Sequence, residues 1–416
     1  MNDHYDALET RDPEVRERAM LARLPVQLAH ARTRTPAFAR LLADIDPREV
    51  TSREALARVP VTRKSELAEL QKAARPFGGL APAGWGAGRA GVRHVFSSPG
   101  PIYEPEGADA DYWRLARALH AAGFRAGDLV HNTFSYHFTP AGSMLETGAH
   151  ALGCTVFPAG VGQTEQQVQA MTDLAPDGYV GTPSFLKIIL DKADELGVRV
   201  PSLRKALLSG EAFPPSVRDA LAARGVTGYQ VYATADVGSI AYETRAREGL
   251  VVDEGVLVEI VRPGTGDPVG EGEVGEVVVT PLANADYPLI RFGTGDLSAL
   301  MPGRSPCGRT NVRIRGWMGR ADQTTKVKGM FVHPSQVAEI VRRHPEVARA
   351  RLVVDNPDKQ DRMTLHVEVA SNRSSSADAI VQSIRDVTKL RGEVAYAQTG
   401  SLPNDGKVIE DRRRYE

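Results

Sequence analysis

Cysteine is almost missing from this chain of 416 residues. Its two cysteines, Cys154 and Cys307, have no CxxC partner, which excludes a disulfide framework and a cysteine-built metal cage and fits a reducing compartment. Net charge is missing too. Fifty-one basic residues balance fifty-two acidic ones for a formal charge of −1, so no global field draws the chain to nucleic acid or to an anionic membrane. Any negative ligand must be held by local donors. No uninterrupted apolar run reaches spanning length, and the opening MNDHYDALETRDPEVRERAM is charged throughout, without the apolar centre of a signal peptide. These absences lead us to expect a soluble, cytoplasmic protein that engages neither nucleic acid nor membrane. Internal repeats, low-complexity tails, a Gly-x-Ser-x-Gly elbow, a Walker loop and an HExxH run are absent as well. PGTGDPVG (263–270) has the glycines of a dinucleotide fingerprint but no helix after it, so it reads as a hairpin turn. His131 and His137 lack companion ligands for a metal.

What is present is ordinary globular material, 42% hydrophobic and 25% charged, long enough for two or more domains. Residues 13–34 place Val15, Ala19, Ala22, Val26 and Ala29 on one helical face, predicting an amphipathic first helix opened by Pro13. RPFGGLAPAGWGAGRAG (75–91) reads as a loop. Buried strands are expected at LVHNTF (129–134), CTVFPA (154–159) and GYVGT (178–182), with helical stretches near 110–122, 143–151 and 164–174. Such alternation argues for a parallel α/β sheet. From 249 to 300 short apolar runs between Gly-rich turns predict a β-rich subdomain of hairpins. After Gly319 come a helix from about Pro334, strands at 350–354 and 364–369, and a second helix near 376–390, a small α+β unit of the βαββαβ kind. The fold class is therefore α/β. A large domain, 1–319, has a mostly parallel sheet plus the β-rich subdomain, and a small α+β C-terminal lid domain follows at 320–416.

Three runs between residues 291 and 407 carry the chemistry: RFGTGD (291–296), GRADQTTKVKG (319–329) and LPNDGK (402–407). In the first, two glycines and a threonine let the backbone turn sharply and aim the Asp296 carboxylate, whose two oxygens suit the vicinal hydroxyls of a ribose. An ordinary hairpin turn with a solvated aspartate has the same composition. Lys407, among the arginines of a charged tail, is a point charge on a flexible stem that can reach into a site, or simply a solvated lysine.

Taken in order and spacing, the three runs resemble the adenylate-forming superfamily of acyl-CoA synthetases, nearest in look to the phenylacetate-CoA ligase family. RTPAF (34–38), VPVTRKSEL (59–67), SYHFTPAG (135–142), GTPSFL (181–186), SGEAFPPSVRDAL (209–221) and YQVYATADVG (229–238) extend the likeness over most of the chain. The resemblance implies ATP-dependent activation of an aromatic or other small carboxylic acid to an acyl-adenylate, then thioester formation with CoA. Asp296 would hold the ribose, Tyr232 would face adenine, and Gly210 and Glu211 would line the adenine edge. Asp236, standing where the family has glutamate, would take Mg²⁺ near the phosphates, and Tyr136 would belong to the acyl pocket. Arg320 would meet ribose or phosphate, Asp322 would be the hinge, Lys328 and Gly329 would lie in the segment approaching the acceptor, and Lys407 would reach the carboxylate and α-phosphate. ATP, Mg²⁺ and CoA are thus the expected cofactors. Zinc is not expected, because of the cysteine-rich cluster some relatives carry this chain keeps only Cys307. A homo-oligomer is compatible with the sequence, which does not specify one.

One stretch departs from the pattern. The family's Ser/Thr/Gly-rich loop ending in Lys-Pro cradles the β- and γ-phosphates, whereas VFSSPGPIYEPEG (95–107) keeps Ser97, Ser98 and Gly100 but has no lysine. Its prolines remove amide donors, and Glu104 and Glu106 would repel pyrophosphate. An adenylate-forming transferase to an amine or carrier protein, and a non-catalytic nucleotide- or acyl-binding relative, therefore stand beside the ligase reading.

Overall fold

The computed structural model describes residues 3–82, 92–262, 265–318, 320–321, 325–332, 334–357, 360–369, 376–403 and 408–413, and the chain divides into two compact units, Met1–Met318 and Gly319–Glu416. In the first unit the expected apolar runs form parallel strands, though Thr155–Pro158 is a partly exposed edge strand rather than a buried one. Their spatial order is Thr227–Thr234, Lys205–Leu208, Gly178–Gly181, Leu129–Asn132 and Thr155–Pro158. Parallel neighbours need crossovers. Helices Ala141–Leu152, Thr164–Leu174, Pro183–Glu195 and Pro215–Ala222 supply them. The third shows how sequence sets a helix start: the Thr182 side chain accepts from the Phe185 amide while Pro183 opens the first turn.

Beyond Thr227–Thr234 the sheet turns antiparallel through Gly238–Glu243, Leu250–Val252, Arg313–Ile314 and Leu300–Met301, making nine strands. The β-rich region builds a second sheet of four, in the order Thr62–Arg63, Phe292–Ser298, Gly275–Pro281 and Val256–Val261. Its inner side chains, among them Val258, Ile260, Val277 and Phe292, pack with Leu24, Leu28 and Phe38 from the N-terminal helices.

The amphipathic face expected over 13–34 is not the buried one. Two helices form, Pro13–Leu21 and Leu24–Arg34, and Arg16, Met20, Leu24, Leu28 and Ala31 are buried, while Val15 and Val26 are 47% and 71% exposed. The missed signal is a charge: Arg16 reaches inward to Glu254 at 3.0 Å, Leu8 O at 2.8 Å and Thr310 Oγ1 at 2.8 Å. A buried guanidinium with this many partners sets the rotation of its helix against a modest apolar stripe.

The second unit has a four-stranded sheet, ordered Glu393–Ala397, Arg362–Val369, Val347–Asp355 and Ile409–Asp411. Helices Pro334–Arg343 and Ala377–Thr388 pack Val337, Ile340, Ile380 and Ile384 with Leu352, Val354, Leu365 and Val367. Among the described residues no helix is long and apolar enough to cross a membrane.

Candidate nucleotide site

Because the parallel strands share a direction, their carboxyl ends form one edge, where ligands of open α/β sheets bind. Tyr136 follows Leu129–Asn132 along that edge, Gly210 and Glu211 follow Lys205–Leu208, and Asp236 follows Thr227–Thr234, the strand that carries Tyr232.

Asp296 is not in a solvated turn. It lies on the strand Phe292–Ser298, 7% exposed, after Gly295, whose φ of 76° is the left-handed backbone that glycine adopts without strain. The Tyr232 hydroxyl donates to Asp296 Oδ2 at 2.9 Å, tying the two sheets together, and the Trp317 indole N–H donates to Oδ1 at 3.1 Å. A carboxylate accepts up to about four hydrogen bonds, so ribose hydroxyls would add to these donors or displace them. Nothing in the sequence singled out Trp317, whose role depends on the chain returning past the sheet some twenty residues after Asp296.

Around the remaining edge, the exposed Glu211 accepts from the Ser184 backbone N–H at 2.6 Å and so ties the loop after Lys205–Leu208 to the first turn of helix Pro183–Glu195. The half-buried Tyr136 donates its hydroxyl to Glu146 at 2.6 Å and accepts from Asn132 at 2.8 Å. Burial, reinforced by the Glu146 carboxylate, holds its phenol well above the usual range. Tyr136 needs glycine at position 142, where a Cβ would stand 2.7 Å from Ser135 O and 3.0 Å from the Tyr136 ring.

The altered phosphate segment is an antiparallel hairpin, Val92–Ser98 with Ile102–Gly107, and its glutamates are turned inward. The expectation of carboxylates repelling pyrophosphate is corrected here, for Glu104 and Glu106 are 0% and 1% exposed. They lie on one face of the strand, two residues apart. Glu106 accepts from Trp113 Nε1 at 2.6 Å and Ser143 Oγ at 2.7 Å, and pairs with His94 at 2.8 Å. Glu104 accepts from the Ser98 hydroxyl at 2.5 Å and the Ser98 amide at 3.3 Å, while the Ser97 amide donates to Phe138 O at 2.7 Å. Ser97 and Ser98, expected to serve phosphate, thus direct these donors to the protein.

Behind the hairpin lies a charged cluster. Asp236 is 1% exposed, its Oδ2 2.5 Å from the Lys64 ammonium, and its Oδ1 is buried with no hydrogen-bond partner among the described residues. Burial, and then the Asp236 charge, push the Glu104 carboxyl up to about 8. A raised folded-state pKa means that the folded protein holds this proton after the unfolded chain has lost it. The associated stability is present in full below the ordinary glutamate range and is lost as pH rises through the folded value. We expect Glu104→Gln, which keeps the neutral shape, to become progressively more stable than the parent protein between about pH 4 and 8. Chemical-denaturation midpoints across that range check it; a stability difference independent of pH would assign the ionised form to Glu104.

In the second unit Arg320 is half-buried, whereas Asp322 and Lys407 lie outside the described residues. Lys328 and Gly329, with φ of 47° and 83°, form the two-residue turn between strands Thr325–Val327 and Met330–Val332. Both positive angles suit a type I′ hairpin. Lys328 is exposed, and its amide donates to Asp361 at 3.0 Å.

Residues 108–282 match the model of the AMP-binding enzyme family and residues 329–413 that of the AMP-binding enzyme C-terminal domain. The first match begins just after the hairpin and contains Tyr136, Gly210, Glu211, Tyr232 and Asp236. The phenylacetate-coenzyme A ligase of Aromatoleum evansii is 32% identical over 366 residues, 84% of this chain and 80% of that protein. That of Thermus thermophilus is 31% identical over 413 residues, 93% of this chain and 90% of that protein. A crystal structure of 2-hydroxyisobutyryl-CoA ligase, in complex with 2-HIB-AMP and CoA, shares the fold at a TM-score of 0.80 and 24% identity, covering 100% of this chain and 95% of that one.

Proposed function

The chain belongs to the phenylacetate-CoA ligase family of AMP-binding enzymes, and we propose on that premise that it joins a small carboxylic acid to CoA through an acyl-adenylate formed from ATP. The observation that carries this is the likeness to two phenylacetate-coenzyme A ligases over 84% and 93% of the chain. Tyr232 and Asp296, joined at the carboxyl edge of the sheet, are compatible with it.

In this reading the substrate carboxylate attacks the α-phosphate and pyrophosphate leaves. The CoA thiol then attacks the acyl carbonyl, and AMP departs. The protein's part is to fix the reactants and to neutralise charge as it develops, since a preorganised polar site lowers such barriers more than any single contact. Asp296 takes the ribose hydroxyls, Tyr232 fixes that carboxylate and faces the base, Gly210 and Glu211 border adenine, and Tyr136 closes the acyl side. Arg320, the hinge residue Asp322 and Lys407 belong to the lid domain, with Lys328 and Gly329 in the segment that meets the acceptor. Mg²⁺ takes one or two carboxylates, and the carboxylate proposed for it is Asp236, whose Oδ1 has no hydrogen-bond partner among the described residues. Bound there, it would neutralise phosphate charge. The substrate is proposed to be an aromatic or other small acid, and a cytoplasmic location follows from the need for ATP and CoA.

Acid-dependent exchange of labelled pyrophosphate into ATP, over a panel of aromatic and short aliphatic acids, tests the first half-reaction; product formation with and without CoA tests the second. No exchange with any acid would sink the reading, and exchange without thioester formation would redirect it to another acceptor. Asp296→Ala should weaken AMP and ATP together, by about 10- to 100-fold, the effect of losing hydrogen bonds to a charged group. Calorimetric titration of a variant with unchanged thermal stability checks this. Undiminished AMP affinity would return Asp296 to a structural role.

A further inference from the structure

Asn132, Tyr136 and Glu146 form a polar cluster at the carboxyl edge of the parallel strands. Asn132 ends its strand, and its side-chain amide donates to the Tyr136 hydroxyl at 2.8 Å and to Gly142 O at 2.9 Å, while its oxygen accepts from the Phe134 amide at 3.1 Å. Both amide hydrogens are thereby engaged. The Tyr136 hydroxyl, accepting from Asn132, gives its one hydrogen to Glu146 Oε2 at 2.6 Å. Because burial and the Glu146 carboxylate hold that phenol well above its usual range, it stays protonated. Glu146 lies on the helix Ala141–Leu152, one turn after Gly142, so the Tyr136 ring covers one face of that helix, over the glycine and against the carboxylate.

With its donors engaged, the cluster presents an acceptor. A carboxylate accepts about four hydrogen bonds, whereas Glu146 Oε1 has no partner among the described residues, and the half-buried side chain is not sealed from solvent. The surroundings of the pair are those of the crevice. Phe134, two residues before Tyr136, stands beside Gly210, where a Cβ would be 3.7 Å from its ring. On the other side the Ser97 amide donates to Phe138 O at 2.7 Å and Ser143 Oγ to Glu106 at 2.7 Å, so the loop and the helix both meet the hairpin. Tyr136 and Glu146 are thus held between the residues assigned to adenine and the altered hairpin. An apolar acyl group set against Glu146 would take water from a carboxylate and return no hydrogen bond. A group with a hydrogen to donate restores that bond, and a site of this kind rejects the analogue that lacks it.

We propose that Glu146 selects the substrate: the acid that this protein activates carries a hydrogen-bond donor, a hydroxyl or amino group, which Glu146 accepts while Tyr136 and Asn132 hold the carboxylate in place. This rests on the ligase reading above and on the placing of Tyr136 at the acyl side. It narrows an aromatic or other small acid to one with a polar substituent. Tyr136 is then a positioning residue, since its hydrogen is already given to Glu146.

Acid-dependent pyrophosphate exchange by the full-length protein tests it. The panel pairs phenylacetic and benzoic acids bearing a hydroxyl or amino group with their methyl isosteres at each ring position, and short hydroxy acids with their methyl counterparts. For the favoured pair, kcat/KM of the donor-bearing acid should exceed that of the methyl isostere by about 10- to 100-fold, the effect of a hydrogen bond to a charged group. Glu146→Leu should abolish or reverse the preference while AMP affinity, measured by calorimetry, stays within about 2-fold of the parent. Glu146→Gln, which keeps the volume and an acceptor oxygen but not the charge, should lower the preference about 3- to 10-fold and decides the matter if the leucine variant does not fold. Parent protein that takes the methyl acids as readily, or a preference undiminished in the variants, would overturn the Glu146 assignment alone. Loss of AMP affinity in both variants would make Glu146 a structural residue. Parent protein that exchanges with no acid would overturn the ligase reading and this inference with it.

Discussion

Lys407→Ala should slow acyl-adenylate formation by about 10²- to 10³-fold, the loss typical of removing one preorganised charge from a transition state that is gaining negative charge. Thioester formation from acyl-adenylate supplied ready-made should change far less. The argument comes from LPNDGK (402–407), whose lysine follows the terminal glycine as in the family's pattern, and from chemistry. The attacking carboxylate and the α-phosphate are both anionic, and a cation that reaches them only for that step serves one half-reaction. Pyrophosphate exchange reads the first half-reaction, and single-turnover CoA consumption from synthetic acyl-adenylate reads the second. Equal loss in both would remove Lys407 from the adenylation role, and no loss would make it one more solvated lysine.

The largest stability effect should come from Arg291→Ala. Arg291 immediately precedes the Asp296 strand, is 1% exposed, and donates to both Glu259 oxygens at 2.9 and 3.0 Å. Its remaining N–H groups reach the carbonyls of Ala57 at 2.8 Å, Val59 at 2.6 Å and Gly266 at 2.7 Å. Truncation would leave Glu259 buried without its counter-charge, and burial already raises that carboxyl against the pull of Arg291. Removing one partner of such a pair costs about 3–5 kcal/mol, while replacing both by apolar groups costs much less. Arg291→Met with Glu259→Leu should therefore recover most of the loss. All three tryptophans, Trp85, Trp113 and Trp317, lie before residue 319, so denaturant unfolding followed by tryptophan fluorescence reports on this unit. A single-variant loss below about 1 kcal/mol would mean that water reaches the pair.

The sequence by itself determined the parts governed by local chemistry. Apolar runs five or six residues long between helical stretches read as parallel strands with crossovers, and the helices at 164–174 and from about Pro334 followed from side-chain periodicity. Family membership was legible for a related reason: RFGTGD, YATAD and LPNDGK are short, ordered motifs whose spacing survives in one dimension. Tertiary structure decided whatever depended on where charge is buried. The rotation of the first helices was set by Arg16 reaching Glu254, a residue 238 positions away, and hydropathy along the helix cannot register such a partner. Glu104 and Glu106 looked like solvated carboxylates repelling a ligand, yet the hairpin turns them onto Ser98, Trp113 and Ser143. Trp317 was silent in the sequence, and Lys64 entered only as part of the run VPVTRKSEL, because the aspartate each meets is brought to it by tertiary folding. Periodicity encodes which side chains leave water, but the energy of a buried charge is fixed by its partner, and that partner is chosen only when the chain folds back on itself.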